Sequence, residues 1–109
     1  MALLSNVSLI FYKKGDYHQS EETATRVLDV EWGHEKCSYR RAMARIKISQ
    51  SIGGDLILLK KAFKDVLNCT PSTTTQKLVV QMESEIKRLE KKERKQFSSG
   101  FGSALAGKM

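Results

Sequence analysis

The amino-acid sequence predicts an all-α fold, and three observations lead to that class. Apolar residues recur every three or four positions in five successive segments, the spacing that places them on one face of a helix. Glycine, proline or short polar turns separate these segments. The 109 residues include a single proline and 7% aromatic residues, which is unlike a sandwich or barrel built from many turns. The length fits one domain with a modest core.

The first two predicted helices cover residues 2–14 and 18–30. Apolar residues line one side of each helix, and Gly15 between them supplies a permissive turn conformation. Glu21 and Glu22 lie near the start of the second helix, where negative charge suits the helix dipole. The dipole is therefore the expected reason for these two carboxylates.

Three further helices are predicted over residues 34–50, 56–68 and 73–97. Trp32 stands in the break before the first of them and is expected to pack over the helix junction. Two adjacent glycines form the strongest interior break, and Asp55 after them is a suitable N-terminal cap. A Thr-Pro-Ser-Thr stretch then closes the fourth helix and caps the fifth.

The charge distribution favours an acidic partner, because the net charge is +7. Lys87–Lys95 holds six cations against two glutamates, although such a run is most often a solvated face. An alternative function follows from it, a basic adaptor whose last helix binds nucleic acid, calmodulin or acidic lipid. Nucleic acid is the weaker case, because the cations wind around the helix without interleaved aromatic residues. Residues 98–109 are rich in glycine and small side chains and predict a flexible tail.

Several classes of function are not expected. Cys37 and Cys69 are far apart, with no paired CxxC and no histidine cluster, so free thiols and no metal or cofactor are predicted. No nucleophile has an evident base, so the chain is not expected to be an enzyme. No signal peptide or membrane-length apolar run is found, so a cytoplasmic protein without membrane association is expected.

An internal period organises the sequence. Asn6 stands thirty-four residues before Arg40, and thirty-four is the period of a known helical repeat. Lys36 and Arg40 are four apart, so they share one face of the third predicted helix, where two cations repel each other mildly. Small and aromatic residues occupy the packing positions of such a repeat: Ser8, Tyr17, Ser20, Ala24 and Ala42. The second copy of the repeat is about five residues longer than the period allows, and these extra residues are expected in the turn around residues 51–56.

With these features the chain resembles two tetratricopeptide repeats, residues 2–34 and 35–71, followed by a long C-terminal capping helix. The likeness is strongest to the peptide-binding repeats of co-chaperones, especially the C-terminal region of the large immunophilins. Those are prolyl isomerases of the FKBP and cyclophilin types and their inactive relatives. The resemblance implies helical hairpins stacked into a superhelix with a concave surface, and any isomerase domain would lie elsewhere in the parent protein. Trp32 and Arg45 depart from the repeat pattern, in place of a proline and an aromatic residue.

A carboxylate clamp is the function that this resemblance implies. In the family, the clamp holds the C-terminal aspartate of a cytosolic heat-shock chaperone, of the 90-kDa or 70-kDa class, that ends in Glu-Glu-Val-Asp. Asn6, Lys36 and Arg40 match clamp positions of the middle and third repeats. The expected groove lining comprises Leu9, Tyr12, Lys13, Tyr39, Met43 and Ile46. The family's first repeat, which carries the other clamp residues, has no counterpart in the chain.

The first helix is expected to leave part of its apolar face uncovered. Repeat proteins bury such faces against their neighbours and usually need at least about three repeats. With two repeats, Leu3, Leu4, Val7 and Ile10 would be partly exposed. Either the chain is a fragment of a larger co-chaperone, or it covers this face by self-association.

Overall fold

The chain folds as five α-helices, which confirms the predicted all-α class. The computed structural model describes the backbone of residues 2–108 and the side chains of residues 3–95. The helices are α1 Ala2–Lys13, α2 Tyr17–Val30, α3 Glu35–Ser51, α4 Leu56–Leu67 and α5 Thr73–Lys108. No strand occurs in the described part of the chain. The first four helices lie within about a residue of their predicted bounds, because both apolar spacing and turn residues are local signals.

A side chain caps the N-terminus of each helix after α1 by accepting a hydrogen bond from a backbone N–H group of the first turn. Asp16 and Asp55 accept from the backbone N–H groups of Gln19 at 3.3 Å and Leu58 at 3.0 Å. The prediction of Asp55 as a cap is therefore confirmed. The other two caps are the Nδ1 atom of His34 and the hydroxyl of Ser72, which accept from Cys37 and Thr75. These bonds satisfy N–H groups that have no partner inside the helix.

α3 is the central helix of the fold. Consecutive helices pack against each other, and α1 also packs against α3. One apolar cluster joins α1, α2 and α3, with Ala24, Val27, Leu28 and Cys37 at its centre and Leu4 at its edge. A second cluster joins α3, α4 and α5 around Ala42, Ala62, Val66 and Met82. Short connections between packed neighbours give antiparallel helix pairs.

Ser8 and Ser20 let α1 and α2 approach closely. Both residues are fully buried. The Ser8 hydroxyl donates to the Ser20 carbonyl at 2.9 Å, and the Ser20 hydroxyl donates to the Ser8 carbonyl at 2.8 Å. Two small side chains therefore bring the helices together without leaving a buried hydroxyl unpaired. Their assignment as helix-packing positions agrees with this contact.

Most of the additional length of the second helix pair lies in α3, not in the turn as predicted. α3 ends eleven residues after Arg40, whereas α1 ends seven residues after Asn6, so α3 runs four residues further. The turn after α3 takes only residues 52–55 and closes on two glycines with positive φ, Gly53 at 84° and Gly54 at 112°. The helix continues because residues 45–51 contain no glycine or proline to end it.

Two expectations, for Trp32 and for the apolar face of α1, have different outcomes. Trp32 does not pack over the helix junction, since 80% of it is exposed. The four-residue connection there closes through backbone bonds, such as that from His34 N–H to the Glu31 carbonyl at 3.0 Å, and needs no aromatic cover. The exposed apolar face of α1 is present, with Leu3 75% and Ile10 51% exposed.

The last helix is longer than the sequence predicts. α5 extends to Lys108, beyond the end expected near residue 97, and no proline interrupts this stretch. The flexible tail predicted for residues 98–109 falls outside the residues whose side chains the structure describes, and it stays a prediction.

Candidate functional site

A cleft of about 410 Å³ between α1 and α3 collects most of the predicted site residues. Its lining consists of Leu9, Tyr12, Lys36, Tyr39, Arg40 and Met43. Two predicted clamp cations and four predicted groove residues therefore share one site. No carboxylate belongs to this lining, so its charge is positive.

Helical spacing explains why these side chains meet. Lys36, Tyr39, Arg40 and Met43 lie at successive intervals of three, one and three residues, which keeps them on one face of α3. Leu9 and Tyr12 are three apart on α1. Contact between α1 and α3 brings the two faces together.

Arg40 is held in place by α1. Its Nη1 atom donates to the Ser5 backbone carbonyl at 2.6 Å and lies 3.3 Å from the Ser5 hydroxyl. Its Nε and Nη2 atoms have no hydrogen-bond partner among residues 3–95. These two nitrogens form one edge of the guanidinium, the geometry that binds a carboxylate through two parallel hydrogen bonds. The bond from Nη1 to Ser5 thus orients the guanidinium, and the edge formed by Nε and Nη2 can bind a ligand.

Lys36 has a different environment, although it lies one turn from Arg40. Its side chain is exposed and makes no ion pair within the described part of the chain. The neighbouring carboxylate of Glu35 is already engaged, because it accepts hydrogen bonds from the backbone N–H and the hydroxyl of Thr70. Lys36 is therefore a mobile point charge beside a fixed guanidinium.

The remaining predicted residues do not line this cleft. Asn6 is exposed on α1, three residues before Leu9, and so lies on the same side of that helix. Lys13 is exposed in the last turn of α1. Ile46 packs against the second apolar cluster and borders a separate cleft. Lys13 follows Leu9 by four residues, so the structure places both Asn6 and Lys13 on the side of α1 that borders the site, while Ile46 borders the separate cleft.

Tyr12 and Tyr39 contribute polar hydroxyls to the mostly apolar lining of the cleft. Partial burial, then the neighbouring Tyr17 and Tyr39, raises the pKa of Tyr12 above its ordinary 10.0. Tyr12 is consequently neutral at pH 7 and can donate a hydrogen bond. Its ring meets that of Tyr17 edge to face, with centroids 5.3 Å apart. This contact packs Tyr17 against α1 and agrees with its assignment as a packing position.

A second cleft continues along α3 toward α5. It has a volume of about 430 Å³ and is bordered by Ile46, Gln50, Gln81, Glu85 and Arg88, among others. Ile46 and Gln50 follow Met43 at intervals of three and four residues, on the same side of α3. One side of α3 therefore borders both clefts.

Sequence reasoning missed a buried ionic network behind the site. Asp65 of α4 is 3% exposed and accepts from Arg41 Nε at 2.9 Å and Nη2 at 2.7 Å. It also accepts from Arg45 Nη1 at 2.8 Å, and Arg45 Nε donates to Glu21 at 2.7 Å. Arg41 reaches the Thr25 hydroxyl at 3.3 Å. The network ties α2, α3 and α4 together.

This network corrects the interpretation of Glu21. The carboxylate does not lie in the first turn of α2, and its partner is Arg45 rather than the helix dipole. A signal for the network was available in the sequence. Asp65 lies on the same face of α4 as the apolar residues Leu58 and Ala62, and a buried carboxylate requires cationic partners. Two arginines four apart on α3 supply them.

The basic segment Lys87–Lys95 lies on α5, and its charge is partly balanced locally. Arg88 Nε donates to Glu85 at 3.0 Å, and Lys60 lies 3.6 Å from Glu90. Leu89, within the segment, is buried. The segment is therefore a solvated face with one buried position.

Two features are absent from the described residues. No described helix combines the length and apolar character that crossing a membrane requires. No group of three or more potential metal-ligating side chains of the His, Cys, Asp and Glu types occurs there either. Cys37 and Cys69 are both free thiols.

No family model, curated protein or solved structure matches the chain. The candidate site is therefore defined by its own geometry and by the residues that the sequence singled out.

Proposed function

We propose that the chain is a peptide-binding module that captures the C-terminal carboxylate of an acidic peptide. The ligand class is the Glu-Glu-Val-Asp terminus of cytosolic heat-shock chaperones, and the chain belongs to an immunophilin-like co-chaperone that works in the cytoplasm. In this proposal α1 with α2 and α3 with α4 form two tetratricopeptide-like repeats, and α5 is the capping helix. The antiparallel pairing and the contact between α1 and α3 support that reading.

The observation that carries the proposal is the free edge of Arg40 beside Lys36 in a cleft without a carboxylate. A C-terminal carboxylate would take the two free nitrogens of the guanidinium, and Lys36 would add a third charged donor. Leu9 and Met43 offer apolar contact to the side chain next to the terminus. Asn6, exposed in the middle of α1, would reach the ligand as a neutral donor.

Calorimetric titration with the peptide Glu-Glu-Val-Asp, as the free acid and as the C-terminal amide, tests this function. The acid should bind weakly and the amide at least about tenfold more weakly, since each lost charge-assisted hydrogen bond is worth about 1.5–3 kcal/mol. Equal affinities for the two peptides would contradict the proposal.

Lys36→Ala is the informative variant, because the exposed Lys36 side chain makes no hydrogen bond or ion pair among the described residues. It should reduce binding without changing the helical content. Lys61→Ala is a matched control, since Lys61 is an exposed lysine of α4 outside the cleft. Arg40→Ala would also remove the hydrogen bond to Ser5 and so confound binding with the packing of α1 on α3.

A further inference from the structure

The link between α4 and α5 presents a threonine directly before the only proline in the sequence. Thr70 and Pro71 are exposed, and residues 68–72 are not helical. A Thr-Pro pair is the sequence that proline-directed protein kinases accept. Because there is one proline, the chain offers such a kinase a single hydroxyl.

Thr70 also fastens this link to the start of α3. Its backbone N–H donates to Glu35 Oε1 at 2.7 Å, and its hydroxyl donates to the same oxygen. The Thr70 hydroxyl and N–H, in that order, lower the pKa of the Glu35 carboxyl below its ordinary 4.5. The contact is exposed, so a kinase can displace it at small cost.

Lys36 connects this contact to the candidate site. A shallow cleft of about 480 Å³ has Glu35, Lys36, Tyr39 and Thr70 in its lining. Lys36 and Tyr39 also line the cleft between α1 and α3. One lysine therefore lies between the Thr70 link and Arg40.

We propose that Thr70 is a phosphorylation site for a proline-directed kinase and that its phosphate withdraws Lys36 from the peptide-binding cleft. The Thr70 Oγ1 atom attacks the γ-phosphorus of ATP, a new O–P bond forms, and the bond to the β-phosphate oxygen breaks to release ADP. The hydroxyl proton passes to the base of the kinase. ATP and the kinase are supplied by the cell.

Two physical consequences follow from the added charge. Phosphothreonine carries about −1.5 to −2 at pH 7 and has no hydroxyl proton left to donate, so it repels the Glu35 carboxylate and the contact opens. The phosphate then attracts Lys36, the nearest cation of the shared cleft. The peptide carboxylate loses one of its charged donors. This second consequence rests on the proposed function.

Incubation of the full chain with ATP and an active mitogen-activated protein kinase tests the modification, with intact-mass spectrometry as the readout. Wild type should gain one phosphoryl group, Thr70→Ser should also gain one, and Thr70→Val should gain none. Ser72, Thr73 and Thr74 are exposed neighbours without a following proline and serve as internal controls. Equal labelling of Thr70→Val would overturn the assignment. So would an unlabelled wild-type chain when a free peptide of residues 66–75 is labelled.

The consequence of the modification has its own readouts. Hydrogen exchange at the Thr70 amide should become at least about tenfold faster once Glu35 is displaced. Affinity for the free-acid peptide should fall about tenfold in wild type and much less in Lys36→Ala. Unchanged affinity in a fully phosphorylated chain would overturn the withdrawal of Lys36. A chain that never binds the peptide would refute the proposed function, while the labelling and exchange results would still decide the site.

Discussion

Asn in place of Asp65 should destabilise the fold strongly, because Asp65 holds three charge-assisted hydrogen bonds in a nearly water-free position. The side chain is 3% exposed, and the bonds to Arg41 and Arg45 measure 2.7 to 2.9 Å. Removing one partner of a buried pair costs about 3–5 kcal/mol. Arg45 keeps Glu21, and the arginine side chains retain 14–19% exposure, so the lower part of that range, about 3 kcal/mol, is expected.

Urea unfolding followed by circular dichroism measures this loss. A loss of about 3 kcal/mol is a large part of the free energy of unfolding of a small domain, which is roughly 5–15 kcal/mol. Asp29→Asn is the matched control, since Asp29 is exposed on α2 and its change should stay within about 0.5 kcal/mol. A loss below about 1 kcal/mol in Asp65→Asn would refute the reasoning.

A triple variant separates charge burial from shape. Replacing Asp65 with Leu and both arginines with Met removes all three charges together. Glu21 keeps its charge in this variant, but its side chain is 25% exposed and water can solvate it. Apolar replacement of a buried ion set is often neutral or stabilising, so this variant should recover most of the lost stability. A triple variant as unstable as Asp65→Asn would show that the uncompensated charge is not the cause.

Two further predictions concern Glu35, the first residue of α3, and Gly54, in the turn after α3. Because the pKa of Glu35 is lowered in the fold, its contribution to stability is present above pH 4.5 and is lost as the pH falls through the lowered value. The free energy of unfolding of wild type minus that of Glu35→Gln should therefore shrink with acid, and a pH-independent difference would contradict it. Gly54→Ala should cost about 1–2 kcal/mol in urea unfolding, because φ is 112° there and a Cβ atom would stand 2.7 Å from Leu89. Gly33→Ala, with open space around it, should be nearly neutral, and equal losses in the two variants would argue against backbone strain.

The helices were predictable because their signals lie within a few residues of one another. Apolar spacing, the double glycine before Asp55 and the cap at that residue are all local. The helical spacing of Lys36 and Arg40 is equally local, and so is their common face. For these features, knowledge of distant contacts was unnecessary.

Features that depend on contacts between distant residues were not predicted. The Ser5 carbonyl that orients Arg40 is a backbone atom, for which no residue pattern exists. Glu21 meets Arg45 only after α2 and α3 pack. The hydrophobic character of Trp32 predicts packing over the helix junction, but the short turn around it leaves the side chain exposed. Asp65 is the exception, because a carboxylate within the apolar stripe of α4 predicts cationic partners on a neighbouring helix.

A double-mutant cycle between Lys36 and the peptide terminus tests the proposed carboxylate site most directly. It compares the affinities of wild type and Lys36→Ala for the free-acid and amidated Glu-Glu-Val-Asp peptides, all measured by calorimetry at one salt concentration. If Lys36 binds the terminal carboxylate, amidation should weaken binding to wild type about tenfold and binding to Lys36→Ala clearly less. If amidation weakens both proteins by the same factor, Lys36 does not contact the carboxylate and the proposed site is wrong.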